Sequence, residues 1–170
     1  MAWHTNVLVI ASVTAPSNDL LDALTARAER GPIHITLLMP AREIGLAGLE
    51  AGKPQLEATL TSWRDAGLDA EGAVGDSDPI QAVHDAWDPS RFDEVIVSTL
   101  PGETSKWLRY DLPHRVAAFT GVPVTHVVAM DMRPTPQAGP APERRREPLG
   151  PLSVLTWGGG GQGRGSGAQH

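Results

Sequence analysis

The sequence predicts an α/β protein: a three-layer α/β/α domain whose open parallel sheet has five strands in the order 3-2-1-4-5, followed by a disordered C-terminal tail. Three observations predict it. Short apolar runs bounded by turn residues alternate with segments of helical periodicity over residues 1–130, and that alternation implies parallel strands joined by crossover helices. Five such runs are present, and five most often form a doubly wound sheet. Composition then changes at about Met130, with six prolines between Arg133 and Pro151 and seven glycines between Gly158 and Gly167. Such a segment cannot bury enough apolar surface to offset its ordering entropy. The domain is therefore expected over 1–130 and a mostly disordered tail over 131–170.

The elements follow in order. "NVLVIAS" over 6–12 is a short apolar run and reads as a buried strand. Ser17 suits a helix N-cap, Asp19 suits the positive end of the helix dipole, and Leu20, Leu21, Leu24 and Ala28 share one side before Gly31-Pro32 ends the helix. "IHITLLMP" is the second strand. Residues 54–66 are expected to be helical, because Leu56, Leu60, Trp63 and Gly67 recur at helical spacing. A weaker strand follows over 68–74. Asp78 caps a third helix whose first residue is Pro79, with Ile80, Val83 and Trp87 on one face. "FDEVIVS" over 92–98 is the fourth strand. In "SKWLRYDLPHRVAAF" Pro113 cannot sit deep in a helix, so one short turn and a new helix capped by Asp111 are expected. "VPVTHVVAM" over 122–130 is the fifth strand.

Composition excludes several functions. The 170 residues contain no cysteine, which removes disulfides, thiolate catalysis and cysteine metal sites and fits a cytoplasmic location. Residues 1–130 hold 9 Lys/Arg against 17 Asp/Glu, and 131–170 hold 5 against 3. An acidic body argues against general nucleic-acid binding, which needs clustered cations, but a few local donors suffice for one mononucleotide. No apolar run reaches 18 residues, so no membrane span is expected, and the N-terminus has no basic n-region of a signal peptide. No serine-hydrolase elbow or P-loop is present, and the glycine-rich tail follows no strand and opens no helix. The six histidines form no zinc pattern. Asp76 and Asp78 are two apart, a spacing that a helix cap explains more simply than a metal. In the tail, "LSVLTW" reads as an unstructured apolar patch or a docking strand, and Arg144–Arg146 as a solvated charge run.

In a sheet of this order ligands bind outside the carboxyl ends of the strands, where the order reverses. Here that point lies between the ends of strands 1 and 4, which puts "SVTAPSN" and "STLPGETS" on either side of one crevice. Ser98, Thr99, Thr104 and Ser105 supply hydroxyls, and Lys106, Arg109 and Arg115 supply nearby cations, against the negative charges of Glu103 and Asp111. Capping of the helix that begins near Lys106 is the simpler use of these polar residues, and the loop also offers backbone donors to an anion. Trp107 could stack on a base, although core packing is the commoner fate of tryptophan.

Residues 1–130 resemble the universal stress protein (UspA-like) family, in the adenine-nucleotide α-hydrolase-like group of folds. The resemblance rests on the order of "VLVIAS", "GDSDPIQAVHDAW", "FDEVIVST" and the ending "HRVAAFTGVPVTHVVA". It implies a non-catalytic, regulatory domain of the stress response that binds ATP or another adenine nucleotide. In nucleotide-binding members a Gly-x2-Gly-x9-Gly-Ser/Thr pattern follows strand 4, because glycines let the backbone approach phosphates. Here Ser98 stands at the first glycine, Pro101 or Gly102 at the second, and no Gly-Ser pair lies ten further on. The aspartate usual at the end of strand 1 is replaced by Ser12 and Val13. The pattern is largely lost. The resemblance then assigns Ser12 and Val13 to the base or ribose, and Ser98, Thr99, Gly102, Thr104 and Ser105 to an adenine nucleotide's phosphates or another anion. The alternative is a protein-interaction module on the same fold that has lost the ligand. The family resemblance further implies a homodimer through the last strand, between Pro123 and Ala129, which would otherwise expose unpaired backbone groups.

Overall fold

The structure is a computed structural model that describes residues 3–102 and 106–130. The tail over 131–170, with "LSVLTW" and Arg144–Arg146, lies outside the described residues. Five parallel strands, β1 (Thr5–Ile10), β2 (Ile33–Pro40), β3 (Ala70–Gly75), β4 (Glu94–Thr99) and β5 (Val124–Val128), form one sheet in the order β3-β2-β1-β4-β5. Among the described residues five helices accompany them: α1 (Asn18–Glu29), α2 (Leu46–Asp65), α3 (Pro79–Ala86), the single turn α4 (Lys106–Arg109) and α5 (Leu112–Thr120).

The expected fold class and strand order are observed, and β1 shows why. Val7, Leu8, Val9 and Ile10 have no exposed surface. Successive side chains alternate between faces. Val7 and Val9 join a core with Leu20 and Leu24 of α1 and with Leu56, Leu60 and Trp63 of α2. Leu8 and Ile10 join a second core with Ala82 and Val83 of α3 and Leu112 and Val116 of α5. The run is apolar throughout because both of its faces are covered, and each such side chain contributes roughly 1.5–3 kcal/mol relative to leaving it in water.

Two helix caps follow the sequence. Ser17 is extended, and its hydroxyl accepts from the Leu20 N–H at 3.2 Å. Asp78 Oδ1 accepts from the N–H groups of Ile80 and Gln81, while Asp76 Oδ1 accepts from the Asp78 N–H at 2.8 Å. Both carboxylates are thus occupied in the cap of α3.

Two expectations are corrected. α2 begins at Leu46 rather than at residue 54, and Pro54 lies inside it. "LAGLEAGK" has two glycines and so a low helix propensity, but those glycines are what allow close packing. A side chain at Gly48 would meet the Glu43 carbonyl, and one at Gly52 would press on Val74 of β3. Asp111 occupies the N-cap position of α5, but its side chain makes no capping bond. It adopts φ 52° and ψ 45°, a left-handed conformation that aspartate tolerates better than most residues. The turn between α4 and α5 needs that reversal, with the Asp111 N–H donating to the Leu108 carbonyl.

At the β3 edge, the sheet carries a polar cluster away from the carboxyl ends of the strands. His34 Nδ1 lies 2.9 Å from Asp69 Oδ2, and Nε2 lies 3.4 Å from Glu71 Oε1, which also accepts from Arg91. Only the protonated ring has a donor on both nitrogens. The hydrogen bond to Asp69, helped by Glu71, raises the His34 pKa above its ordinary 6.5 against a smaller opposing effect of burial. A His whose folded value is raised stabilises the fold fully below its unfolded value and loses that contribution as the pH rises through the folded one. Thermal unfolding should therefore show a steeper loss of stability between about pH 6 and about pH 8 in the wild type than in His34→Gln. Equal slopes would mean that folding does not raise the proton affinity of His34.

Candidate functional site

β1 is paired to β2 on one side and to β4 on the other, so the chain leaves the two central strands toward different neighbours. A cavity of about 390 Å³ opens where they part. Ser12, Val13 and Thr14 line it from the end of β1, and Ser98, Thr99 and Leu100 from the end of β4. Pro40, Ala41 and Arg42 close the β2 side, Ser77 comes from the turn before α3, and Trp107 comes from α4.

The wall is braced by side-chain bonds. Thr14 Oγ1 donates to the Ser98 carbonyl at 3.1 Å and ties the two central strand ends together. Ser12 Oγ donates to the Pro40 carbonyl at 3.2 Å. Gln55 of α2 donates through Nε2 to the Ser12 carbonyl at 3.0 Å. Asp19 accepts from the Met130 N–H at 2.6 Å, which ties the segment after β5 to α1.

Two hydroxyls on β4 differ. Thr99 Oγ1 lies 2.6 Å from His126 Nε2 of β5, and burial lowers the His126 pKa below its ordinary value. The neutral ring either accepts the threonine proton or donates its own, so Thr99 keeps one capacity to spare in either tautomer. Ser98 has no exposed surface, and its hydroxyl has no hydrogen-bond partner among the described residues. A buried hydroxyl left unsatisfied costs about 1–3 kcal/mol.

Of the seven residues expected at the site, Ser12, Val13, Ser98 and Thr99 share this cavity. Gly102 does not line it; it is exposed, at φ 49°. Thr104 and Ser105 lie outside the described residues. Arg115 and His114 are exposed and do not line the cavity, and the side chains of Lys106 and Arg109 lie outside what is described. Trp107 packs, half-buried, against the α3–α5 core, and it also lines the cavity. Thr14 lies in the "SVTAPSN" stretch expected at the crevice but was not singled out, and sequence reasoning missed Arg42 and Ser77. The signal was present for Arg42, because β2 also ends on this side of the sheet and Arg42 follows it by two residues. Among the described residues no group of three His, Asp or Glu is placed to hold a metal, and no helix is long and apolar enough to cross a membrane.

No protein-family model matches the chain, and no curated protein matches it. Solved structures do. The universal stress protein from Archaeoglobus fulgidus in complex with dAMP is 13% identical, covers 75% of this chain and 99% of its own, and gives a TM-score of 0.52. A universal stress protein in complex with cAMP is 18% identical over 74% of this chain and 98% of its own, with a TM-score of 0.49. A second Archaeoglobus fulgidus universal stress protein structure is 16% identical with the same coverage and score. The five-stranded parallel sheet, its order and the likeness to the dAMP complex together show that this chain has the universal stress protein fold.

Proposed function

We propose that the chain is a universal stress protein-like regulatory domain that binds an adenine nucleotide, or an anion of similar chemistry, between the ends of β1 and β4. The observation that carries this reading is the cavity at the point where the strand order reverses, whose lining includes Ser98, a residue with a buried hydroxyl that has no partner among the described residues. A ligand that accepts from or donates to Ser98 would remove the cost of leaving it unsatisfied. The cavity volume is within the range of small-molecule sites, and the universal stress protein of the same fold named above binds dAMP. The described lining includes hydroxyls and one arginine, groups that can donate to an anion.

Ser98→Ala separates a ligand contact from a structural defect. It removes the orphan hydroxyl with little change of volume, so the ligand-free protein should gain up to about 1 kcal/mol in thermal or denaturant unfolding. Affinity for AMP in calorimetry should fall roughly tenfold, the worth of one hydrogen bond. A folded variant with wild-type AMP affinity would remove Ser98 from the site.

A second reading concerns β5. It is an edge strand. The Val95 N–H donates to the Pro123 carbonyl and the Ala129 N–H to the Thr99 carbonyl, so in the alternating ladder Val124, His126 and Val128 turn their backbone groups outward. Such an edge favours pairing with a second copy, and the proposed homodimer uses it. Val128→Lys should shift the particle toward monomer in analytical ultracentrifugation; a folded variant that remains a dimer would exclude this edge.

A further inference from the structure

We infer that the end of β3, between α2 and α3, docks an extended segment of a partner protein in which apolar residues alternate with lysine or arginine. This surface is separate from the crevice between β1 and β4 and would serve whether or not a nucleotide occupies it.

β3 is the outer strand of the sheet opposite β5, and among the described residues it pairs with β2 alone. The Ile35 N–H donates to the Asp69 carbonyl and the Ala41 N–H to the Gly75 carbonyl. Alternate residues of β3 therefore face β2, and Ala70, Gly72 and Val74 turn their backbone groups outward. Arg64 Nε donates to the Ala70 carbonyl at 2.9 Å, which agrees with that direction and covers that position. Gly72 and Val74 carry no such bond among the described residues and are only half-buried. An edge of this kind is a template for an added strand.

A cavity of about 490 Å³ adjoins this edge and bends round the end of the strand. Ala73 and Ala86 line it on the α3 side, and Leu46, Leu49 and Val74 on the α2 side. Leu46 is 73% exposed, and Ile44, two residues before it, is 89% exposed. Exposed apolar surface that continues into a groove is a feature of interaction sites.

Charge selects the occupant. Glu43, Asp76 and Asp85 line the groove, and among the described residues no lysine or arginine does. Asp76 and Asp85 accept from neutral donors, the Asp78 N–H and the Gln81 side-chain amide. None of the three carboxylates has an ion-pair partner among the described residues, whereas Glu71, earlier on the same strand, is paired with Arg91. An extended peptide would bond to the open edge, place alternate apolar side chains in the groove and present its cations to the acidic rim. A second copy of this chain fits less well, because residues 1–130 hold 17 Asp/Glu against 9 Lys/Arg and like charges would meet. Ala41 and Ser77 line both this groove and the crevice, so an occupant here touches the crevice wall.

The test is fluorescence anisotropy on the full chain with a short labelled peptide of alternating leucine and arginine, and with its leucine–glutamate counterpart as control. The arginine peptide is expected to bind and the glutamate peptide not to. Glu43→Lys combined with Asp85→Lys should weaken binding roughly tenfold or more, and Leu46→Ser should weaken it several-fold. Asp22→Lys combined with Glu29→Lys makes the same change of charge at exposed positions of α1 and should leave binding unchanged. All five positions are exposed, and circular dichroism checks that each variant is folded. Equal weakening by the two charge-reversed pairs would reduce the binding to general attraction by an acidic body and overturn the docking site. No binding at about 1 mM peptide would overturn it too. A wild type that self-associates in analytical ultracentrifugation and becomes monomeric on Leu46→Ser would give the groove to a second copy and overturn the peptide assignment.

Discussion

The pairing of β1 along both edges, with helices over both faces, is the constraint on which the rest depends. A strand in that position has no water on any side, so each of its core side chains must be apolar and each backbone group must find a partner in β2 or β4. Because the chain connects β1 to its neighbours in opposite directions, the ends of β1 and β4 cannot both be roofed by the same crossover. The crevice is a consequence of topology before any particular side chain is considered. Thr14 then fixes its width by bonding across to the Ser98 carbonyl.

That rigid frame gives meaning to the buried Ser98 hydroxyl, which has no partner among the described residues. At a surface, Ser98 would bond to water and say nothing. At the buried end of β4 it sits among groups whose bonds are already made: Thr14 to the Ser98 carbonyl, Ser12 to Pro40, and Thr99 to His126. Well-packed proteins leave few such groups, and real proteins break such rules at functional sites. Without a Gly-Ser pair at the expected spacing after β4, the described polarity of the cavity comes from side chains: hydroxyls on β1 and β4 and the arginine after β2.

Much of the fold was legible because local and global signals agree. Ser17 and Asp78 read as caps and are caps, since a short polar side chain before an amphipathic run has few better uses. The start of α2 was not legible. Pro54 looks like a first-turn proline, and the glycines before it look like a loop, but Gly48 and Gly52 are there because the helix passes close to Glu43 and Val74. That is tertiary packing, which propensity cannot register. Asp111 stands at the N-cap position without capping, because an aspartate before a helix suits either a cap or a left-handed backbone and the residue type alone does not choose between them. At the candidate site, Ser12, Val13, Ser98 and Thr99 could be located from strand ends alone. Arg42 and Gln55 could not be linked, because the contact joins a loop to the middle of a helix whose beginning had not been recognised.

Equilibrium dialysis of the purified protein against labelled AMP tests the central claim most directly, because it counts bound ligand without relying on heat or on a conformational change. One molecule of AMP bound per chain, displaced by excess unlabelled AMP, is the predicted result. No binding above background at about 1 mM AMP, a concentration that detects even a very weak site, would contradict the claim that this crevice is a nucleotide site.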